Sequence, residues 1–203
     1  MIAHSLGSVR SSNLFDKIHV STDSKVISDV VSTLGFEPEF LRPEHLSDDH
    51  TPIMPVLKYV LETYLDAGEA FDVVTLIMPC APMLEARDLI NAMKTFDEND
   101  GKYLCLSIAE YPVPIEWAFK RSASGTLLPV DPGSLPIRSQ DISPHYFDAG
   151  LFTIYPSHKI LGSEGAGDYG GYLGYVVPQH KGIDIDTEDD WLLAEAVFSS
   201  QHR

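Results

Sequence analysis

Between Asp72 and Met78 the chain carries a nearly unbroken apolar run, Val73-Val74-Thr75-Leu76-Ile77-Met78, punctuated directly afterwards by Pro79 and Pro82. A strand with one wet face alternates polar and apolar residues, whereas a run of this kind marks a strand covered on both faces. The run is therefore read as a central strand, and the covers must be helices packed on either side of a sheet. Helical periodicity supplies them. Ile2, Leu6 and Val9 predict a helix ending near Ser11-Ser12-Asn13, and Ser24 to Leu34 predicts a second, with Val26, Ile27, Val30, Val31 and Leu34 on one face and Gly35 closing it. Thr51-Pro52 has the N-cap and first-turn proline of a third helix, carrying Val56, Leu57, Val60, Leu61 and Leu65, and a fourth runs from about Ala86 to Phe96 with Leu89, Ile90 and Met93 inward.

Strands are expected between these helices. Lys17 to Asp23 is a short β-branched run ending in polar residues, Phe36 to Leu41 a second, and Tyr103 to Ala109 follows the fourth helix. Leu151 to Tyr155, Leu173 to Val177 and Gly182 to Asp186 are further candidates, and Thr187 to Phe198 reads as a closing helix whose acidic first turn, Glu188, Asp189 and Asp190, suits the helix dipole. Such alternation predicts an α/β fold with a mostly parallel sheet and helices on both faces. Residues 111–148 break the pattern with a hairpin around Ser122 to Gly125 and a proline-containing loop, a small β excursion of the kind that shapes a pocket or a subunit contact. No linker or repeat divides residues 1–203, which are expected to form one domain.

Composition excludes several classes. Fourteen Lys+Arg against thirty Asp+Glu give a net charge of −16, the opposite of the basic stripe that a nucleic-acid backbone requires. No apolar stretch approaches the roughly 18 residues of a membrane span, and Met1 to Arg10 has no secretory apolar segment. Cys80 and Cys105 have neither the number nor the spacing for a disulfide framework or a zinc site, so a cytoplasmic location is expected.

Candidate chemistry concentrates near strand ends. In Gly182-Ile183-Asp184-Ile185-Asp186-Thr187 an extended backbone throws Asp184 and Asp186 to one face and the two isoleucines to the other. Paired carboxylates can hold Mg²⁺ together with substrate phosphates and water. Alternatively Asp186 or Thr187 caps the next helix and Asp184 is simply solvated. Open parallel sheets bind ligands beyond the carboxyl ends of their strands, where Asp23, Arg42 and the Met78-Pro79-Cys80-Ala81-Pro82 segment fall. Each of these also has a structural alternative, respectively a helix cap, a surface ion pair and helix punctuation. Arg138 could grip a carboxylate or phosphate with its planar fork, or pair with Asp141 or Asp148. None of the eight histidines has metal-ligand spacing, and Cys80 is read as a packed thiol.

These segments resemble the acylneuraminate cytidylyltransferases, which activate sialic-type nonulosonic sugars with CTP. The resemblance is carried by Phe15-Asp16-Lys17-Ile18-His19-Val20-Ser21-Thr22-Asp23, by Phe40-Leu41-Arg42-Pro43-Glu44-His45-Leu46-Ser47-Asp48-Asp49, and by Asp184-Ile185-Asp186-Thr187-Glu188-Asp189-Asp190-Trp191. Ala81-Pro82, Pro114 to Lys120, Arg138-Ser139-Gln140-Asp141 and Asp148-Ala149-Gly150 are more similar to the pseudaminic acid branch than to the sialic acid branch. The resemblance spans essentially the whole chain.

It implies a Rossmann-like nucleotide-diphospho-sugar transferase fold and a cytidylyltransferase that moves CMP from CTP to a nine-carbon 2-keto sugar acid, pseudaminic acid being the first choice, and releases pyrophosphate. It further implies Mg²⁺ dependence and a homodimer in which the excursion meets the partner subunit. Carried over by position, Asp184 and Asp186 hold Mg²⁺ as the catalytic carboxylates, while Asp23, Arg42, Ser47 and Asp48 lie on the nucleotide side. Met78, Cys80, Arg138, Gln140 and Asp148 line the sugar side, where Met78 and Cys80 depart from the family's usual small or polar residues. Family members also open with a strand and a glycine-rich basic loop that cradles the CTP phosphates, and here Met1 to His4 aligns inside the helix after that loop. Two readings follow: an active enzyme, or an N-terminally truncated, catalytically impaired member acting as a binding or dimerisation partner.

Overall fold

The computed structural model describes residues 1–165 and 170–201. It opens with helix α1 (Ile2–Ser12), which sends Leu6 and Val9 inward and ends on Asn13 in the left-handed conformation. Helix α2 (Lys25–Thr33) is capped by Ser24, whose side chain accepts the Ile27 N–H at 3.4 Å. The third predicted helix is α3 (Ile53–Asp66) and the fourth is α4 (Ala86–Asp97). Strands β1 (Val73–Ile77), β2 (Leu104–Glu110), β5 (Tyr146–Pro156) and β6 (Tyr172–Val176) make the main sheet. Between β2 and β5 the excursion folds the predicted hairpin as β3 (Phe119–Arg121) and β4 (Leu127–Pro129). A short helix α5 (Ser157–Leu161) follows β5, and α6 (Glu188–Gln201) ends the described chain. Among the described residues no helix is long and apolar enough to cross a membrane.

The sheet order is β1-β5-β2-β6. Strand β5 runs antiparallel to both β1 and β2, and β2 pairs in parallel with β6, so β1, β2 and β6 all point one way. Side-chain alternation then sorts the core into two layers. Val73, Ile77, Cys105, Phe152 and Ile154 pack with Val9 of α1 and with Leu89, Ala92 and Phe96 of α4. On the other face Val74, Leu76, Leu104 and Tyr155 pack with Met54, Leu57 and Leu61 of α3 and Ile160 of α5.

The apolar run is covered on both faces, as expected, but it lies at the edge of the sheet rather than its centre. An apolar pattern reports that a strand's faces are covered and carries no information about its edges. The stretches 17–23 and 36–41, expected as strands, join no ladder; a backbone hydrogen bond from Arg42 N–H to Thr22 O, 2.8 Å, ties the first to the end of the second. In α2 only Val31 is fully buried, whereas Val26, Ile27 and Val30 are exposed. Residues 182–186 are also not a strand, because a 3-10 turn at Gln179–Lys181 leads into Gly182 at φ −85°, ψ 48°, which is outside the extended region.

Half-buried His19 fastens the 17–23 stretch to α3. Its ring stacks on Phe40 at 4.4 Å between centroids, and Nδ1 lies 3.1 Å from the Tyr64 hydroxyl. Burial lowers its pKa from 6.5 to about 4. The unfolded chain therefore binds this proton at a higher pH than the native chain does, and the stability present above pH 6.5 is lost as the pH falls towards 4. Chemical denaturation at pH 7 and pH 5 is expected to show that loss, with a shallower slope in His19→Gln; an identical slope in the variant overturns the assignment.

Candidate functional site

The carboxyl ends of β1, β2 and β6 lie at one edge of the sheet, where β5 begins. Met78 continues β1 by donating its N–H to Leu151 O at 2.9 Å, and its own carbonyl accepts the Ser5 hydroxyl of α1 at 3.2 Å. Exposed Cys80 follows two residues on. Strand β2 changes register against β5 between Leu106 and Ile108. The buried Ser107 hydroxyl meets the irregularity by accepting the Leu151 and Phe152 N–H groups, each at 3.1 Å.

Beyond that shift the start of β5 pairs with the end of β2, Asp148 opposite Ile108 and Tyr146 opposite Glu110. Asp148 accepts the Gly150 N–H at 2.9 Å, and Gly150 has φ +65°, a conformation costly for any residue with a side chain. A Cβ at Gly150 would stand 3.7 Å from Asp184 Oδ1, so Asp148 and Asp184 flank one glycine. Gly182 comes closer still, since a Cβ there would meet Ala109 Cβ at 3.0 Å and Ala149 Cβ at 3.3 Å. The chain carrying Asp184 thus crosses the ends of β2 and β5 so closely that a side chain at Gly182 would press on Ala109 and Ala149.

The predicted alternation survives without a strand: Asp184 and Asp186 are exposed, and Ile183 and Ile185 are half-buried. Helix α6 is capped by Thr187 and Asp190, not by Asp186. Asp190 Oδ2 accepts the Thr187 N–H at 2.8 Å and its hydroxyl at 2.7 Å, while Thr187 Oγ1 accepts the Asp190 N–H at 3.3 Å. These bonds hold the Asp190 carboxyl below its usual pKa. The carboxylates of Asp184 and Asp186 make no hydrogen bond or ion pair among the described residues.

The nucleotide-side candidates form their own cluster. Arg42 reaches Asp23 Oδ1 at 3.5 Å and donates from Nε to Ser47 Oγ at 3.2 Å. Asp48 accepts the His50 and Thr51 N–H groups at 2.8 and 2.7 Å, which lowers its pKa and orders the approach to α3. Among the described residues no hydrogen bond or ion pair joins this cluster to Asp148 or Asp184. Arg138 lies on the exposed excursion with Asp141 3.1 Å away, and Gln140, with its amide oriented to accept, 2.9 Å from the guanidinium. A surface cavity of about 720 Å³ between α1, α4 and α6 is lined by none of the candidate residues.

Residue patterns gave no hint of Lys181, which is only 3% exposed. Its ammonium binds Asp88 at 2.6 Å and Glu85, both at the start of α4, and Lys181 is the principal reason the Glu85 carboxyl titrates below its usual range. A lysine beside His180 reads as a surface residue in sequence, and its burial depends on α4 being packed against this turn.

The two thiols differ sharply. Cys105 is buried, which raises its pKa to about 11, and Cys80 is exposed rather than packed. Ellman's reagent is expected to modify one thiol per native chain, absent in Cys80→Ser, and the second only after denaturation. Two reactive thiols in the native chain would contradict this packing.

A family model described as cytidylyltransferase matches residues 1–115. The chain is 28% identical to the pseudaminic acid cytidylyltransferase of Campylobacter jejuni over 202 residues, covering 100% of this chain and 86% of that protein. It is 25% identical to the CMP-N,N'-diacetyllegionaminic acid synthase of Legionella pneumophila, over 98% of this chain and 84% of that one. Among solved structures, a CMP:2-keto-3-deoxy-manno-octonic acid synthetase complexed with CTP superposes with a TM-score of 0.69 at 14% identity, covering 98% of this chain and 88% of that chain. At that identity the likeness speaks for the nucleotidyltransferase fold alone.

Proposed function

This chain belongs to the cytidylyltransferase family, and from that premise we propose that it transfers CMP from CTP to a nonulosonic acid, with pseudaminic acid the favoured acceptor, releasing pyrophosphate. The observation that carries the reading is the match to a pseudaminic acid cytidylyltransferase along the whole of this chain. The geometry supports it, because Met78, Asp148, Gly150 and Asp184 meet at the carboxyl edge of the sheet, where open α/β folds bind ligands.

Phosphoryl transfer needs little covalent help from a protein and depends on placing the reactants in line and stabilising charge. Asp184 and Asp186 suit Mg²⁺: both are exposed, neither carboxylate has a protein partner among the described residues, and the ion commonly takes one or two carboxylates and completes its shell with phosphates and water. When bound there, Mg²⁺ supplies neutralisation of the charge that develops on the phosphate oxygens. Arg42, oriented by Asp23 and Ser47, brings a cation to the nucleotide side, and Asp48 keeps that loop ordered. Met78, Cys80 and Asp148 face the sugar side. Arg138 offers the acceptor's carboxylate a planar fork, with Gln140 next to it.

The excursion presents Phe119, Leu127, Leu128 and Val130 to solvent on a two-stranded hairpin too small to bury them itself. A second copy of the chain covers this face in a homodimer, and the protein works in the cytoplasm.

The deciding experiment measures pyrophosphate release from CTP and Mg²⁺ with pseudaminic and N-acetylneuraminic acids offered in parallel. Release with pseudaminic acid is expected to exceed release with N-acetylneuraminic acid. The reverse preference overturns the acceptor assignment, and silence with both from folded protein overturns the activity.

A further inference from the structure

We propose that Lys181 is a positioning residue for the divalent cation, tethering the Asp184-Ile185-Asp186 segment to the start of α4 through Glu85 and Asp88; this rests on the proposed metal role of the two aspartates. The segment has no β-ladder to hold it, so its place depends on its ends. Downstream it is fixed by the reciprocal Thr187–Asp190 cap. Upstream, Gln179 donates its side-chain N–H to Glu110 O at 3.2 Å, Gly182 is wedged between Ala109 and Ala149, and the Lys181 ammonium is gripped by the two carboxylates of α4.

Of these upstream anchors only the lysine reaches α4. Asp88 also accepts the Glu85 N–H at 3.0 Å, so the ammonium is bound to a carboxylate already fixed in the first turn of that helix. Asp184 comes three residues after Lys181, too few to absorb a displaced anchor. A side chain 3% exposed and committed to two carboxylates is also in no position to serve as a substrate contact itself. Outer groups that orient metal-binding carboxylates typically change metal affinity by about 10–100-fold when removed.

The test titrates Mn²⁺, followed by its EPR signal, against the full chain with CTP present. Three kinds of variant are compared with the wild type: Lys181→Arg, Glu85→Gln, and the pair Lys181→Met with Asp88→Asn. The pair removes both buried charges, while the amide oxygen that replaces the Asp88 carboxylate can still accept the Glu85 N–H. It is expected to melt near the wild-type temperature yet need about 10–100-fold more Mn²⁺, whereas Lys181→Arg stays within about threefold. A purely structural lysine would restore Mn²⁺ affinity along with stability, and that result overturns the proposal. Should the pair not fold, Glu85→Gln decides: it alters the half-exposed arm of the tether, is expected to weaken Mn²⁺ binding, and refutes the idea if the constant is unchanged. Asp184→Asn and Asp186→Asn complete the set. If they bind Mn²⁺ like the wild type, the metal site itself is wrong; if they lose it while the Lys181 and Glu85 variants keep it, only the positioning role falls.

Discussion

Asp186→Asn is expected to lower CMP-sugar formation by about a thousandfold while leaving the fold intact. The substitution keeps the side chain's volume and removes its charge. Its carboxylate is exposed and bonds to nothing among the described residues, so the stability change should stay within about 0.5 kcal/mol, as for other surface positions. A metal ligand at a phosphoryl centre governs several kcal/mol of transition-state charge, and each 1.36 kcal/mol is a factor of ten in rate, which gives roughly three decades. The neighbouring Asp190 provides the control. It accepts the Thr187 N–H and hydroxyl and so fixes the downstream end of the segment; Asp190→Ala is expected to raise the Mg²⁺ needed for half-maximal turnover while leaving the rate at saturating Mg²⁺ far closer to the wild type than Asp186→Asn does. Pyrophosphate release measured over a Mg²⁺ titration separates the two. Turnover by Asp186→Asn within about threefold of the wild type, less than about 1 kcal/mol, removes Asp186 from the site.

Which of these features could be read without a structure depends on the range of the interaction. The start of α2, the extent of α4 and the β3–β4 hairpin are set by caps, helical spacing and turn residues within a few positions of one another, and each lies close to where periodicity puts it; α3 begins one residue later than expected, with Pro52 rather than Thr51 at its N-cap and no side-chain cap bond. The layering was legible too, because a two-residue period sends Val73 and Ile77 to one face and Val74 and Leu76 to the other. Strand order was not. Nothing local tells β1 that β5 will pair with one of its edges and leave it at the sheet's border. The same holds for residues 17–23, which have the composition of a strand but find no ladder partner.

The candidate site divides along the same line. Exposure of Asp184 and Asp186 followed from their spacing, and the Arg42–Ser47 contact lies within one short motif, whereas the pairing of Arg42 with Asp23 joins two separate motifs. The approach of Asp184 to Gly150 joins residues 34 positions apart in sequence, a distance beyond the reach of any local pattern. Arg138 shows the converse. Its nearest partners, Asp141 and Gln140, are sequence neighbours, so its local contacts were open to sequence reasoning.

The largest stability effect is expected at Lys181, and it tests how the two halves of the site are held together. Lys181→Met leaves Asp88, itself 4% exposed, as a buried carboxylate without its cation. Removing one partner of a buried pair costs about 3–5 kcal/mol, because the remaining charge keeps its desolvation penalty and loses its compensation. For a chain of this size that corresponds to a fall in Tm of roughly 6–20 °C. Glu85 adds little to the sum: its side chain is 46% exposed, Arg87 contacts it at 2.6 Å, and pairs open to water contribute up to about 1 kcal/mol. Adding Asp88→Asn to Lys181→Met removes the orphaned charge, so most of the lost Tm should return, although neither single substitution improves the protein. Thermal melts of the two single variants and the double variant close the cycle. Strict additivity would mean that the two groups do not interact, and that the turn before Asp184 is held by the Gln179 bond to Glu110 and by packing at Gly182 without the lysine.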